Sequence, residues 1–220
     1  MKVAIMQPYF FPYLGYYQLL SLADVFVVFD CVQFPRSGWV HRNKFTMING
    51  KVEWLTLPII KGNRDSTHIT DLRFSENSSE SMMIQFRRTR IFNDLKDNRE
   101  LFELVFNHDD TVTSYLCSTL HYVKAKFGLN AQIIRSSSFS VPRDIKGQDR
   151  ILFLLKELGG DTYINLSGGA KLYSKSEFEK NGMELRILNP YEGPKISLLE
   201  RILCENHEEL LQEIQQDQSA

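Results

Sequence analysis

The chain opens with an apolar and polar pattern that predicts a strand, a turn and a helix. Residues 3–5 form a short apolar run, residues 7–18 are rich in aromatic residues, and leucines follow at 19, 20 and 22. Residues 24–30 then form a continuous run of β-type residues, as in a strand covered on both faces. A strand, a helix and a second strand in this order predict a right-handed βαβ unit with parallel strands.

The pattern then changes twice. Asn49-Gly50 separates two β-type runs and predicts a hairpin over residues 45–59, and residues 69–74 suggest a short strand. From 79 to 127 the apolar residues recur at helical spacing. Alternation then resumes, with strands predicted at 132–135, 162–166 and 184–188 and helices at 147–158, 174–181 and 196–215.

These elements predict an α/β fold with a Rossmann-like, mainly parallel sheet, helices on both faces and a helical insert. We expect one domain, with an α/β core of residues 1–78 and 128–220 and an insert or lid of residues 79–127. A chain of 220 residues suits this arrangement.

Composition excludes some classes of function. Lys plus Arg is 26 and Asp plus Glu is 27, so the net charge of −1 argues against a generally basic surface for nucleic acid. The three cysteines are scattered without a CxxC motif, which favours reduced thiols. The five histidines show no helical metal-ligand pair, so we expect no metal site. No apolar run suits a membrane helix or a signal peptide, so we expect a cytoplasmic protein without stable membrane insertion.

Three loops follow predicted strands, over residues 7–18, 30–44 and 167–173. In a parallel sheet these loops open at the same edge, which is where α/β proteins bind ligands. The first loop is either a rigid aromatic plug or a wall lined for a ligand, and its placement favours the wall. Its candidate substrate-binding residues are Gln7, Tyr9, Tyr13 and Gly15.

The second loop combines an aromatic side chain with residues that are or can become cations, namely Arg36, His41, Arg42 and Lys44. Arginine suits bidentate recognition of phosphate or carboxylate, and Trp39 suits stacking on a base or a sugar. His41 and Asp30 are candidate catalytic groups, whereas Asn43 is a candidate for substrate binding. The alternatives are a hydrogen-bonding or exposed histidine and a turn-capping aspartate.

The third loop, Ser167, Gly168, Gly169, Ala170 and Lys171, offers glycine amides and a nearby ammonium to an anion. The alternative is a plain turn, because the spacing is not that of a P-loop. The run Arg87-Arg88-Thr89-Arg90 is either a phosphate site or a solvated helix face.

Blocks along the chain resemble the WbqC-like family: MQPYFFPYLGYYQLL, DVFVVFDCVQF, GWVHRNKF, WLTLPI, DTYINLSGGAKLY and EFEKNGMEL. The loop at 167–171 and Glu200 depart from the usual family pattern. The family occurs in bacterial gene clusters for O-antigen and related surface polysaccharides, and some members are named as aminoacyl transferases. The resemblance implies modification of a nucleotide-linked amino sugar, with an acyl donor such as acyl-CoA, acyl carrier protein or an ATP-activated amino acid.

A looser resemblance concerns residues 11–16, FPYLGY, which look like the F-x-P-x-H-x-G-H turn of nucleotidylyltransferases. It implies a nucleotidylyltransferase-like (HUP-like) version of the fold, with Tyr13 and Tyr16 at the histidine positions. Because a tyrosine hydroxyl stays neutral at pH 7, this change favours a nucleotide-type ligand over adenylyl transfer. We expect an acyl or aminoacyl transferase, with a nucleotidylyltransferase or a non-catalytic nucleotide-sugar-binding protein as alternatives.

Overall fold

A parallel sheet of five strands lies at the centre of the computed structural model, which describes residues 1–35, 37–60, 62, 66–142 and 144–216. The strand order is β5-β2-β1-β6-β7, and a separate antiparallel hairpin pairs β3 with β4. The strands are β1 (Lys2–Met6), β2 (Val25–Val28), β3 (Arg42–Thr46), β4 (Val52–Thr56), β5 (Gln132–Arg135), β6 (Thr162–Asn165) and β7 (Glu184–Ile187).

The strand order reverses between β1 and β6. From β1 the chain moves outward through β2 to β5, then returns to the other side of β1 with β6 and β7. All four pairings in this sheet are parallel, which confirms the predicted Rossmann-like α/β fold. A crevice forms at such a reversal because the two flanking connections leave on opposite faces of the sheet.

Helices cover both faces of the sheet, as predicted. They are α1 (Leu14–Leu22), α2 (Ser78–Phe86), α3 (Phe92–Asp97), α4 (Arg99–Phe106), α5 (Val112–Lys126), α6 (Gly147–Leu158), α7 (Lys175–Lys180), α8 (Leu198–Cys204) and α9 (His207–Gln215). Apolar residues of α1, α2, α4, α5, α8 and α9 share one core, and those of α6 and α7 fill the core on the opposite face. The helices of the predicted insert therefore pack against the opening turn, and their movement as a lid stays a prediction.

The turn after β1 contributes mainly to the core. Phe10 and Phe11 are fully buried, and the Phe10 ring contacts Phe45, Phe86 and Tyr115. Phe11 adopts a φ of 39°, a left-handed conformation that is uncommon for a residue with a bulky side chain. Phe10 and Phe11 therefore form the predicted aromatic plug, and a ligand wall in the same turn stays a prediction.

Three local predictions differ from the structure. β3 begins at Arg42, inside the predicted loop, because Asn43 and Phe45 point inward while the residues between them stay at the surface. Residues 69–71 form a 3₁₀ turn rather than a strand. The predicted C-terminal helix is divided into α8 and α9, since Asn206 Oδ1 accepts hydrogen bonds from the first amides of α9.

Candidate functional site

The reversal of strand order opens into a cavity of about 490 Å³, which we call the edge cavity. The ends of β1 and β6, the start of α6 and the turn after β6 form its walls. Its polar and glycine lining consists of Gln7, Gly147, Gln148, Asn165, Gly168 and Gly169. Because α6 spans 12 residues, its N-terminus carries a partial positive charge and free amides that favour an anion.

The two glycines of the turn after β6 have different surroundings. A Cβ atom on Gly169 would collide with the Asn165 side chain and lie 3.3 Å from Tyr173, whereas a Cβ atom on Gly168 would meet nothing within 4 Å. Gly169 therefore allows the turn to close against Asn165, and Gly168 leaves open space beside the cavity. Ser167 begins this turn, which is a 3₁₀ helix ending at Leu172, and the Lys171 side chain is exposed on it.

An aromatic cavity of about 320 Å³ adjoins the edge cavity, and Met6 and Gln7 line both. Tyr9, Tyr13 and Trp39 provide its aromatic lining. The rings of Tyr9 and Trp39 meet edge to face at 5.7 Å between centroids. The predicted loops after β1 and β2 thus contact each other at the edge of the sheet.

The tyrosines of the opening turn stay neutral. Burial raises the pKa of Tyr9 and Tyr16 well above the ordinary value and also raises the pKa of Tyr13. The Tyr16 hydroxyl donates to the Gln7 carbonyl at 3.1 Å, and the Tyr9 hydroxyl accepts from the Tyr13 amide at 3.0 Å. Tyr16 therefore supports the turn internally, which does not favour the nucleotidylyltransferase alternative.

Gly15 is buried within α1 and allows close packing of aromatic rings. A Cβ atom there would lie 2.7 Å from Tyr191 Cβ and 2.5 Å from a ring carbon of Tyr13. The structure thus places Gly15 behind Tyr13, where it lets the Tyr13 and Tyr191 rings lie with their centroids 5.5 Å apart.

Arg42 and Asn43 lie on β3 and hold neighbouring backbone. Arg42 Nε and Nη2 donate to the carbonyls of Gly38 and Ser37, at 2.9 and 2.6 Å. Asn43 is fully buried, and its Nδ2 donates to the carbonyls of Phe10 and Phe11. Both side chains therefore fix the loops that form the aromatic cavity. Arg36 lies outside the described residues.

Asp30 is fully buried just after β2 and accepts four hydrogen bonds, one from the last residue of β5 and three from the segment that follows it. Arg135 Nε and the Ser137 hydroxyl reach Oδ2, and the Ser136 hydroxyl and the Ser137 amide reach Oδ1, at 2.7 to 2.9 Å. With both oxygens engaged, the carboxylate fixes two loops at the edge of the sheet. Its predicted catalytic role stays a prediction.

His41 lines a third, largely apolar cavity of about 370 Å³. Burial, and secondarily the charge of Arg42, lowers its pKa to about 4, so the ring is neutral at pH 7. Within the described part of the chain, its Nδ1 is enclosed without a hydrogen-bond partner.

Several polar residues of this edge were missed by the sequence reasoning: Arg135, Ser136, Gly147, Gln148 and Asn165. Asn165 ends an apolar strand, which was a readable signal. The residues at the start of α6 carried no such signal in the sequence, because their position beside β1 depends on the strand order.

The described residues offer neither a cluster of metal ligands nor a membrane-spanning helix. Among the described residues, no group of three or more His, Cys, Asp or Glu side chains is placed to hold a metal ion. Over the same residues, none of the helices has the length and apolar character needed to cross a membrane.

The fold and its crevice define an open α/β protein with a cavity at the reversal of strand order. Residues 7–196 match the model of the WbqC-like protein family, and the chain belongs to that family. The predicted resemblance is thereby confirmed. Membership suggests a function associated with polysaccharide gene clusters and is compatible with an enzyme.

The chain is also similar to the uncharacterized protein Rv1507c of Mycobacterium tuberculosis (strain ATCC 25618 / H37Rv), with 36% identity over 62 residues. This segment is 28% of the chain and 26% of that protein, so the match spans about a quarter of the relative's length. No solved structure matches the chain.

Proposed function

We propose that the chain transfers an acyl or aminoacyl group onto the amine of a nucleotide-linked amino sugar in bacterial surface polysaccharide (O-antigen) biosynthesis. The observation that carries this proposal is the pair of adjacent cavities that share Met6 and Gln7 where the strand order reverses. One cavity offers amides and a helix N-terminus, and the other offers aromatic rings. A nucleotide sugar needs both, because it joins a diphosphate to rings with flat apolar faces.

In this proposal the diphosphate lies in the edge cavity. The Gly168 and Gly169 backbone and the first amides of α6 face the same space, and Gly168 has no neighbour where a side chain would begin. Backbone can therefore approach phosphate oxygens closely. Lys171 and Ser167, on the same turn, supply an exposed ammonium and a hydroxyl to the phosphate.

The sugar lies against Tyr9, Tyr13 and Trp39, with Gln7 between it and the diphosphate. Neutral tyrosines suit this role, because they contribute apolar faces and hydrogen-bonding hydroxyls without a charge. Arg42 and Asn43 act here by holding the two loops in place, and Gly15 does so from behind Tyr13.

The acyl group of the donor occupies the apolar cavity beside His41. The sugar amine attacks the acyl carbonyl carbon, the carbon–nitrogen bond forms, and the bond to the thiol or phosphate leaving group breaks. The amine proton passes to a base, and the neutral His41 imidazole is our candidate for that group. Asp30 acts as a positioning residue, since four hydrogen bonds join it to the last residue of β5 and the segment that follows it.

The first experiment measures binding by calorimetry with a nucleotide diphospho-amino sugar and with a nucleoside diphosphate. We expect both ligands to bind. Trp39→Ala should weaken the binding of the nucleotide sugar by roughly tenfold, which is the effect of losing one stacking contact. Trp54→Ala is the matched control, because Trp54 contacts Trp39 but belongs to neither cavity lining. Equal losses in the two variants would reject the aromatic cavity as the sugar site.

The second experiment measures amide formation with acyl-CoA, acyl carrier protein and ATP-activated donors. We expect His41→Gln to lose turnover while nucleotide-sugar binding survives, and full turnover in this variant would exclude His41 as the base. Binding without turnover of any donor would support a non-catalytic protein. Pyrophosphate release from a nucleoside triphosphate would support the nucleotidylyltransferase alternative.

A further inference from the structure

The exposed face of the β3–β4 hairpin combines apolar and basic side chains that the proposed function does not use. Ile48 is 74% exposed, Val52 is 52% exposed and Trp54 is 38% exposed. Cross-strand pairing places Lys44 beside Trp54 and Thr46 beside Val52. Side chains alternate between the two faces of a strand, and Phe45 and Leu55 point into the core. The outer face of the hairpin therefore carries Lys44, Thr46, Val52 and Trp54.

The arginine run of residues 87–90 lies beside the turn of this hairpin. The Ile48 amide donates to the Arg88 carbonyl at 2.9 Å, and the Arg90 amide donates to the Thr46 carbonyl at 3.0 Å. Arg88 pairs with Glu53, and Arg90 pairs with the buried Glu200. The run therefore follows the end of α2, and two of its three arginines pair with carboxylates, while its role in phosphate binding stays a prediction.

Three cations of this hairpin have no carboxylate partner among the described residues: Arg42, whose guanidinium binds backbone carbonyls, Lys44 and Lys51. Lys44 Nζ lies over the Trp39 and Trp54 rings, at 5.8 and 5.3 Å from their centroids. We call the set Lys44, Ile48, Lys51, Val52 and Trp54 the hairpin patch. Its unpaired charge is positive, so its binding partner should be negatively charged.

We propose that the hairpin patch docks the protein on the surface of a membrane that contains anionic phospholipids. The order of side chains along the hairpin carries this choice of partner. Aliphatic side chains lie nearest the turn, Trp54 lies two residues behind Val52, and Lys44 lies across from Trp54. The same order of aliphatic, tryptophan and basic groups suits the acyl boundary, the interface and the headgroups of a bilayer. This inference is independent of the proposed transferase.

The test is co-sedimentation of the full chain with vesicles of phosphatidylcholine alone and of phosphatidylcholine mixed with phosphatidylglycerol. We expect binding to the mixed vesicles only, and loss of most of it when ionic strength is raised, because salt screens the basic residues. Absence of binding to mixed vesicles would overturn the proposal, and so would equal binding to both compositions.

Two variants separate the charged and apolar contributions. Lys44→Glu with Lys51→Glu should weaken binding by roughly 25-fold or more, at about fivefold per cation lost. Lys126→Glu with Lys175→Glu is the matched control, because these exposed lysines lie on α5 and α7. Ile48→Ser with Val52→Ser should weaken binding further than Leu172→Ser, a substitution at a similarly exposed residue on another turn. Binding unchanged in both patch variants would contradict the proposal.

Discussion

The turns after β1 and β6 border the same cavity but are built in opposite ways. In the first, Phe10 and Phe11 are fully buried, and the Phe11 carbonyl accepts hydrogen bonds from Asn43 and Ser197. In the second, Gly168 and Lys171 are exposed, a Cβ atom on Gly168 would meet nothing within 4 Å, and the Gly169 amide donates to the Leu166 carbonyl at 2.9 Å. The first turn is a fixed wall, and the second has few contacts that would prevent it from adjusting to a ligand.

This difference explains how a strained backbone survives in the first turn. A left-handed Phe11 costs about 1 kcal/mol or more and persists only where surrounding contacts determine the conformation. Asn43 and Ser197 supply those contacts from two distant parts of the chain. The rigidity keeps Tyr9 and Tyr13 in place at the cavity while Phe10 and Phe11 fill the core.

The largest effect is expected from removing the support of the first turn. Asn43→Ala would remove the side-chain partner of the Phe10 carbonyl and of the Lys44 amide, and one of the two donors to the Phe11 carbonyl, which would keep only Ser197. We expect a loss of about 3 kcal/mol in the free energy of unfolding, measured by urea denaturation. Asn130→Ala is the matched control, because Asn130 is exposed, and it should change stability by less than about 0.5 kcal/mol. Similar values for the two variants would show that the first turn does not need Asn43.

Much of the fold was readable from the sequence, because strand and helix periods are local. The reversal of strand order was not, since it depends on which strands pair. The site follows the same division. Gln7, Tyr9, Tyr13 and Trp39 were identified because they follow predicted strands, and the structure brings them together.

Other candidates show where this reasoning stops. The sequence placed Arg42 and Asn43 on a loop facing a ligand, whereas they lie on β3 and bind backbone carbonyls. A polar side chain beside an aromatic one looks the same in sequence whether it faces a ligand or a buried carbonyl. The partners of Asp30 lie more than 100 residues away, so no local pattern could reveal them.

The second prediction concerns the turn after β6 and uses its two glycines. Gly169→Ala forces a Cβ atom into the Asn165 side chain and should lower the free energy of unfolding by about 2 kcal/mol. Gly168→Ala enters open space and should leave stability nearly unchanged while it narrows the edge cavity. We would measure the stability of both variants by urea denaturation and their binding of a nucleoside diphosphate by calorimetry. If Gly168→Ala bound as well as the unmodified protein, the diphosphate would not lie against this turn.

The smallest expected effect concerns the pH dependence of stability, and it tests whether the fixed wall extends from the turn after β1 to His41. Burial lowers the pKa of His41 to about 4, while the unfolded chain protonates near the ordinary value of 6.5. Its contribution to stability is therefore complete above pH 6.5 and is lost as the pH falls through 4. After allowance for its exposed part, His41→Gln should reduce the loss between pH 7 and pH 5 by about 1 kcal/mol. His108, whose pKa burial also lowers to about 4, provides the comparison, because His108→Gln should act in the same direction from outside the site. If only His108→Gln reduced the pH dependence, the His41 cavity would be open to water in solution, and the fixed wall would end at Trp39.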